Sequence, residues 1–265
     1  MINIIKSLNY QIRRDNATYV ILLIAVGLML MLLIDASYGT PFEDLNGGMM
    51  AVISGDPAFI AVSVVSIIFT ARICGWDFND KTVNYELLSG HRKADIFFGR
   101  FIVAFVFATT VCLLLVIIPV LFCTIANGWG HNADLKGMLI RLGMLIIPIF
   151  RTVCEITLLT FLVRNCYGAM ILGWLGYEIG LVVSMIPADF FDSKLDISLF
   201  FSASSVYNIL TVSNYSFGYV DGKDIEIFET ALSELHFYGT VATGLGVGAL
   251  CLAVSYLIFT KRDMN

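Results

Sequence analysis

Long apolar runs alternate with short polar segments along most of this sequence. A helix that crosses the roughly 30 Å hydrocarbon core of a bilayer needs about 20 mostly apolar residues. Six segments have that length and character: residues 17–34, 57–76, 101–126, 138–163, 167–186 and 237–260. The pattern predicts an all-α polytopic membrane protein, with one transmembrane domain made of six transmembrane helices.

Residues 1–16 precede the first span, and their apolar side chains recur at helical spacing: Ile2, Ile5, Leu8 and Ile12. Basic residues in the same stretch can reach lipid headgroups: Lys6, Arg13 and Arg14. A helix with this pattern lies in the plane of the membrane interface. We therefore predict an N-terminal interfacial helix, with a frayed cytoplasmic tail as the alternative.

The distribution of basic residues predicts the orientation of the six spans. Lysine and arginine resist translocation, so they collect in the short loops on the cytoplasmic side. With a cytoplasmic N-terminus, eleven of these residues lie on that side and only three lie in the outer loops. Both termini are therefore predicted to be cytoplasmic. The long outer segment at 187–235 mixes apolar and polar stretches, and we expect short helices there, on or dipping into the outer leaflet.

Composition excludes several classes of function. The chain is 58% hydrophobic and 14% charged, whereas soluble domains carry about 25% charged residues. The six cysteines lie in or beside apolar runs without a CxxC pattern, so we interpret them as packing residues. The three histidines are scattered near the predicted membrane boundaries. We therefore predict that this chain has no catalytic group, no metal site and no bound cofactor. We also predict that it contacts the lipid bilayer and binds no nucleic acid.

The segment between the second and third spans carries the most informative polar pattern, DFNDKTVNYELLSGHRKADIFFGR. Val83, Leu87 and Leu88 would share one side of a short helix, and such a helix with charged neighbours suits docking to a cytoplasmic partner. The predicted coupling helix and its flanks comprise Asp77, Lys81, Thr82, Val83, Glu86, Leu87, Leu88, Arg92 and Lys93. An ordinary basic connector that obeys the positive-inside rule is the alternative.

With these features the chain resembles the permease subunit of a type-2 ABC exporter. Permeases of that family have an interfacial N-terminal helix, six spans and a cytoplasmic segment after the second span. The segment 77–93, the turn LTFLVRNCYGAMILG at 159–173 and the ending FTKRDMN at 259–265 are similar to the family's pattern. The sequence departs from that pattern at Asp77, where many relatives carry Glu, and at His91, where Pro is frequent.

The resemblance implies a complex in the bacterial plasma membrane in which different subunits form the transport path and hydrolyse ATP. Two permease copies, identical or related, would form the transport path, and an ABC ATPase dimer holding ATP and magnesium would bind the coupling helices. The chain has no G-x-x-x-x-G-K-[ST] motif, because Gly222-Lys223 is followed by Asp224, so hydrolysis is expected in the partner. Compact permeases of this build resemble exporters of amphipathic or antimicrobial peptides; other members move drugs, sodium or lipids.

Charged side chains are also predicted inside the spans: Arg151, Glu155 and Glu178. Each charge at the bilayer centre costs about 2.5–3.5 kcal/mol on insertion scales, so such residues pair or line a polar cavity. Arg151 and Glu155 are four residues apart and can form a pair on one helix. We consider two interpretations, a path-lining cluster that includes Glu178 and a structural ion pair between the fourth and fifth spans.

Glycines in the fifth and sixth spans permit close helix approach: Gly168, Gly173, Gly176, Gly180, Gly244, Gly246 and Gly248. Packing is the interpretation we favour for them, and a hinge is the alternative.

Two further classes of function are weaker alternatives to an exporter subunit. A membrane-embedded enzyme that uses Glu155 or Glu178 would need His, Asp or Ser at catalytic spacing within the spans, and the sequence contains no such cluster. A secondary transporter driven by an ion gradient would predict inverted repeats with broken helices. Pro119 and Pro148 do not occupy matching positions in two halves.

Overall fold

The computed structural model describes residues 1–38, 40–79, 90, 92–184, 197–220 and 223–261, and α-helices account for most of them. In chain order these helices are α1 (Ile2–Arg14), α2 (Asn16–Ala36), α3 (Gly47–Ile53), α4 (Gly55–Asn79), α5 (Lys93–Asn127), α6 (Leu135–Met144), α7 (Ile146–Val163), α8 (Cys166–Ser184), α9 (Ser202–Leu210) and α10 (Glu234–Lys261). Two 3-10 turns, Phe42–Asp44 and Ile197–Phe200, accompany them, with one antiparallel pair of strands, β1 (Tyr215–Val220) and β2 (Lys223–Phe228).

In the part of the chain that the structure describes, six helical units are long and apolar enough to cross a membrane: α2, α4, α5, α6 together with α7, α8, and α10. They coincide with the six predicted spans, which confirms the all-α class and the polytopic architecture. The largest difference in bounds is at α5, which begins at Lys93 rather than near residue 101. Ile96 and Phe97 in its added first turns are fully buried, so tertiary packing extends the helix beyond its most apolar stretch.

The spanning helices alternate in direction, which gives the bundle two distinct ends. At one end, called the α1 end, Phe97 near the start of α5 packs against Phe161 of α7 and Phe259 of α10, with ring centroids 5.3 and 5.8 Å away. At the other, called the hairpin end, α3 packs against the end of α5 and the two strands lie beside residues 132–133, before α6.

Helix α4 lies at the centre of the bundle. In its membrane-spanning stretch 78% of the residues are buried, compared with 22% in α2 and in α10. The buried Phe69 of α4 contacts Phe107 of α5, with ring centroids 4.9 Å apart. The peripheral helices present exposed leucine, isoleucine and valine side chains outward, which is the surface that lipid requires.

Helix α1 packs against the start of α5 through Ile4 and Leu8, both about 5% exposed or less. Gly99 allows this approach, because a Cβ atom there would lie 3.1 Å from the Cγ2 atom of Ile4. Ile5 and Ile12 are partly buried and pack against the same hydrophobic core. Ile2, expected on the apolar side, is exposed, so the buried side is set by contact with α5 and is rotated from the predicted one.

The fourth span is divided into α6 and α7 at Leu145. Pro148 follows three residues later and has no N–H to donate to the Met144 carbonyl, so the helical ladder loses a hydrogen bond at the division. Both halves remain in the span, and Leu145 and Pro148 are buried.

The described part of the long segment after α8 contains helix and strand. The 3-10 turn Ile197–Phe200 and α9 pack among α4, α7 and α8, and the strands β1 and β2 follow. The carbonyl oxygen of Leu210, at the end of α9, would lie 2.7 Å from a Cβ atom at Gly55. Only glycine therefore allows α9 to approach the start of α4 this closely.

Candidate functional site

Two arginines of the fourth span hold segment 197–211 alongside it. Arg151 binds the 3-10 turn of that segment, and Arg141 binds the end of α9. The arginines are ten residues apart, which corresponds to about 15 Å along the helix axis. The segment therefore runs along the bundle, from near its middle back to the hairpin end.

Each nitrogen of the buried Arg151 guanidinium donates a hydrogen bond. Nε donates to Oε1 of Glu155 at 2.8 Å, and the two terminal nitrogens donate to the carbonyl of Leu199 at 3.2 Å and to that of Phe200. The side chain is only 4% exposed. The cation is thus satisfied by one carboxylate and two main-chain carbonyls.

Glu155 connects α7 to the same segment a second time. Its Oε2 atom accepts a hydrogen bond from the Ser202 hydroxyl at 2.7 Å. The Arg151 cluster, defined as Arg151, Glu155 and Ser202, lines a cavity of about 190 Å³ whose α8 wall contains glycines. The cluster is therefore both an anchor for the 3-10 turn and the polar wall of a cavity inside the bundle.

Arg141 is bound in a different way, since its partners among the described residues are main-chain carbonyls. Its Nε donates to the Thr230 carbonyl at 2.7 Å, and one terminal nitrogen lies 2.9–3.2 Å from the carbonyls of Asn208, Ile209 and Thr211. The residue is 8% exposed. Through these hydrogen bonds Arg141 links the end of α9 and the residues after β2 to the start of the fourth span.

Glu178 does not join the Arg151 cluster. It lies on the outward side of α8, where it is exposed together with Leu175, Ile179 and Val182. Within the described residues it makes no hydrogen bond or ion pair. The structure thus brings Arg151 and Glu155 together and leaves Glu178 as a carboxylate on an otherwise apolar outer surface.

A charged contact at the α1 end joins the first two spans. Arg72 of α4 donates two hydrogen bonds to Oδ2 of Asp15, from Nε at 3.0 Å and from a terminal nitrogen at 2.6 Å. Partial burial alone would raise the pKa of Asp15, but hydrogen bonds from Arg72, Thr18 and Ala17 outweigh it and hold that pKa below its usual value. The guanidinium also lies 4.4 Å from the ring centroid of Trp76.

The structure describes three of the residues predicted for the coupling helix and its flanks. Asp77 belongs to the last turn of α4, and Arg92 is the exposed residue that precedes α5. Lys93 opens α5, and its Nζ donates to the Thr260 carbonyl at 3.1 Å, near the end of α10. The others lie outside the described residues: Lys81, Thr82, Val83, Glu86, Leu87 and Leu88.

Sequence reasoning missed the roles of Arg141 and of the Asp15–Arg72 pair. Asp15 stands directly before an apolar helix, as a capping residue does, and Arg72 lies one turn before Trp76; these were usable signals. Arg141 gave no comparable signal, because its partners are main-chain carbonyls 67 to 89 residues away. Side-chain type carries no information about such contacts.

Within the described ranges, no three or more His, Cys, Asp or Glu side chains are arranged to hold a metal ion. The six cysteine thiols are all buried. Comparison with models of known protein families and with curated protein sequences finds no match.

Proposed function

We propose that the chain is the transmembrane permease subunit of an ATP-driven ABC exporter. A dimer of permease copies would form the transport path, and a dimer of separate ATPase subunits would supply hydrolysis. The observation that carries this proposal is the way α4 and α5, which flank residues 80–91, are tied to the rest of the bundle at the α1 end.

Both flanking helices have specific contacts there. Helix α4 is joined to α2 by the Asp15–Arg72 pair, and α5 is joined to α10 by Lys93 and to α1 by the contact between Gly99 and Ile4. A force applied to residues 80–91 would therefore reach four spanning helices, including the central one. This is the mechanical connection that a coupling helix needs.

The polar features within the bundle support a transport path shared by two copies. The Arg151 cluster supplies a polar cavity among α7, α8 and segment 197–211. Glu178 on the outer side of α8 would cost about 2.5–3.5 kcal/mol if it faced lipid. A second copy of the permease facing α8 would remove that cost by giving the carboxylate a polar environment.

The proposed orientation has the α1 end in the cytoplasm of a bacterium and the hairpin end outside its plasma membrane. This follows from the excess of lysine and arginine around the α1 end. In that orientation α1 would lie at the inner interface, with Arg13 and Arg14 at its last turn, and residues 80–91 would meet the ATPase. The proposed substrate class is an amphipathic or antimicrobial peptide, with drugs, sodium or lipids as alternatives.

Affinity purification from native membranes tests the proposal. The tagged chain should bring down an ATP-binding subunit, and Leu87→Asp combined with Leu88→Asp should reduce its recovery at least tenfold. Leu235→Asp is the matched control, because Leu235 is an exposed leucine at the hairpin end, and it should leave recovery unchanged. Full recovery from the double variant would contradict the proposed docking site. Transport by the chain with no ATPase present would favour an ion-driven transporter instead.

A further inference from the structure

A groove opens on the surface of the bundle between α5 and α6, near the hairpin end. It has a volume of about 210 Å³ and is lined mainly by apolar side chains, among them Val116, Val120, Met138, Leu139 and Leu142. Its rim faces outward, since Leu121, Leu135 and Leu139 are each about half exposed. The groove is therefore accessible from the membrane side of the protein.

Among the residues that the structure describes, Arg141 is the one charged residue that lines this apolar groove. Its side chain is more than nine-tenths buried, and its partners are carbonyls. Among the described residues no carboxylate hydrogen-bonds to it, and its second terminal nitrogen makes no hydrogen bond. The carboxylate of Asp134, the residue that caps the start of α6, instead accepts from the Gly137 N–H at 2.9 Å. Arg141 thus retains a positive charge and a donor for an anionic group.

The groove is somewhat shorter than one membrane leaflet is deep, and it is too small to enclose a helix. Its α6 wall extends from Leu135 to Leu142 and its α5 wall from Val116 to Thr124, or about 10–12 Å at 1.5 Å per residue. One leaflet of hydrocarbon is about 15 Å deep. An α-helix of about 10 Å diameter would need more volume than this over the same length, whereas a hydrocarbon chain is much thinner.

We propose that this groove binds one acyl chain of an anionic phospholipid from the leaflet at the hairpin end. The chain lies against α5 and α6, and a phosphate oxygen of the headgroup accepts a hydrogen bond from Arg141. The phosphate of the bound lipid would supply the negative partner that Arg141 lacks among the described residues, while the other donors of Arg141 hold the end of α9. This binding does not depend on the proposed exporter function, and its test needs no ATPase.

Native mass spectrometry of the full chain, incubated in detergent with phosphatidylglycerol or with phosphatidylcholine, tests this inference. We expect one phosphatidylglycerol per chain, bound at least tenfold more tightly than phosphatidylcholine. Equal binding of the two lipids would overturn the role of Arg141. Displacement of the bound lipid by an amphipathic helical peptide at equal concentration would overturn the choice of occupant.

Filling the groove provides the structural control. Val120→Trp on α5 and Leu142→Trp on α6 each place a large side chain in it, and each should reduce phosphatidylglycerol occupancy at least tenfold. Ile118→Trp is the matched control, since Ile118 is 58% exposed on α5 and lies outside the groove lining; its occupancy should equal that of the wild type. If one filling variant fails to fold, lipid occupancy of the other variant still tests the site. Unchanged occupancy in a folded filling variant would refute the site.

Discussion

Arg141 and Arg151 are both buried in the fourth span, and both donate to main-chain carbonyls of segments that are distant in sequence. Burying a guanidinium is costly unless its charge and most of its donors are paired. Arg151 achieves this with a carboxylate and two carbonyls. Its position inside a span could be predicted from the sequence, and so could its pairing with Glu155, four residues on. The carbonyl partners could not, because they depend on how segment 197–211 folds back.

This geometry predicts a specific outcome for removal of the Arg151–Glu155 pair. Arg151→Met should destabilise the chain by about 3 kcal/mol, because it leaves a carboxylate and two carbonyls without their donor. Adding Glu155→Leu should recover only part of that loss, since the carbonyls of Leu199 and Phe200 remain unsatisfied. Thermal unfolding of the purified chain in detergent measures both. A double variant as stable as the wild type would mean that Arg151 contributes through the ion pair alone.

The Asp15–Arg72 pair predicts a dependence of stability on pH. The folded pKa of Asp15 is lowered from about 3.8, so the pair's contribution is complete above that pH and is lost as the pH falls through the lowered value. Asp15→Asn should therefore reduce the melting temperature at pH 7, and the difference from wild type should shrink at pH 3. The same difference at both pH values would show that the Asp15 charge is not what stabilises this contact.

At the scale of elements, the spans could be predicted well because length and apolarity determine them directly. The early start of α5 could not, since it depends on burial of Ile96 and Phe97 among side chains of other helices. The strands β1 and β2 had a usable signal in the alternating residues on either side of Asp221-Gly222. The short helices predicted for segment 187–235 correspond to the 3-10 turn and α9, and that prediction did not include the strands.

The glycines of α10 permit a direct comparison between packing positions and a free position. A Cβ atom at Gly244 would lie 2.5 Å from Cγ2 of Ile147, and one at Gly248 would lie 2.8 Å from Cε1 of Phe150. A Cβ atom at Gly246 would have no atom of the described residues within 4 Å. Gly248→Ala and Gly244→Ala should each destabilise the chain by about 1–3 kcal/mol through overpacking against α7.

Gly246→Ala is the matched control on the same helix. Alanine favours helix over glycine by up to about 1 kcal/mol, so this variant should be neutral or slightly more stable in thermal unfolding. Equal effects of the three substitutions would mean that α10 does not pack on α7 through Gly244 and Gly248.

At the scale of the whole molecule, the two ends of the bundle have different characters. The α1 end joins spans through the Asp15–Arg72 pair, Lys93 and the rings that contact Phe97. The hairpin end joins them through Arg141 and through hydrogen bonds from the side chains of Asn46, Asn127 and Asn132. The division into six spans follows from solvation in lipid. The distribution of contacts between the ends follows from tertiary packing, which the sequence pattern does not encode locally.

Site-specific photocrosslinking in native membranes tests the central claim most directly. A photoreactive residue at position 87 should form an adduct with a subunit that binds ATP, while the same residue at position 235 should form none. An adduct that lacks nucleotide binding, or access to position 87 only from outside the cell, would contradict an exporter permease driven from the α1 end.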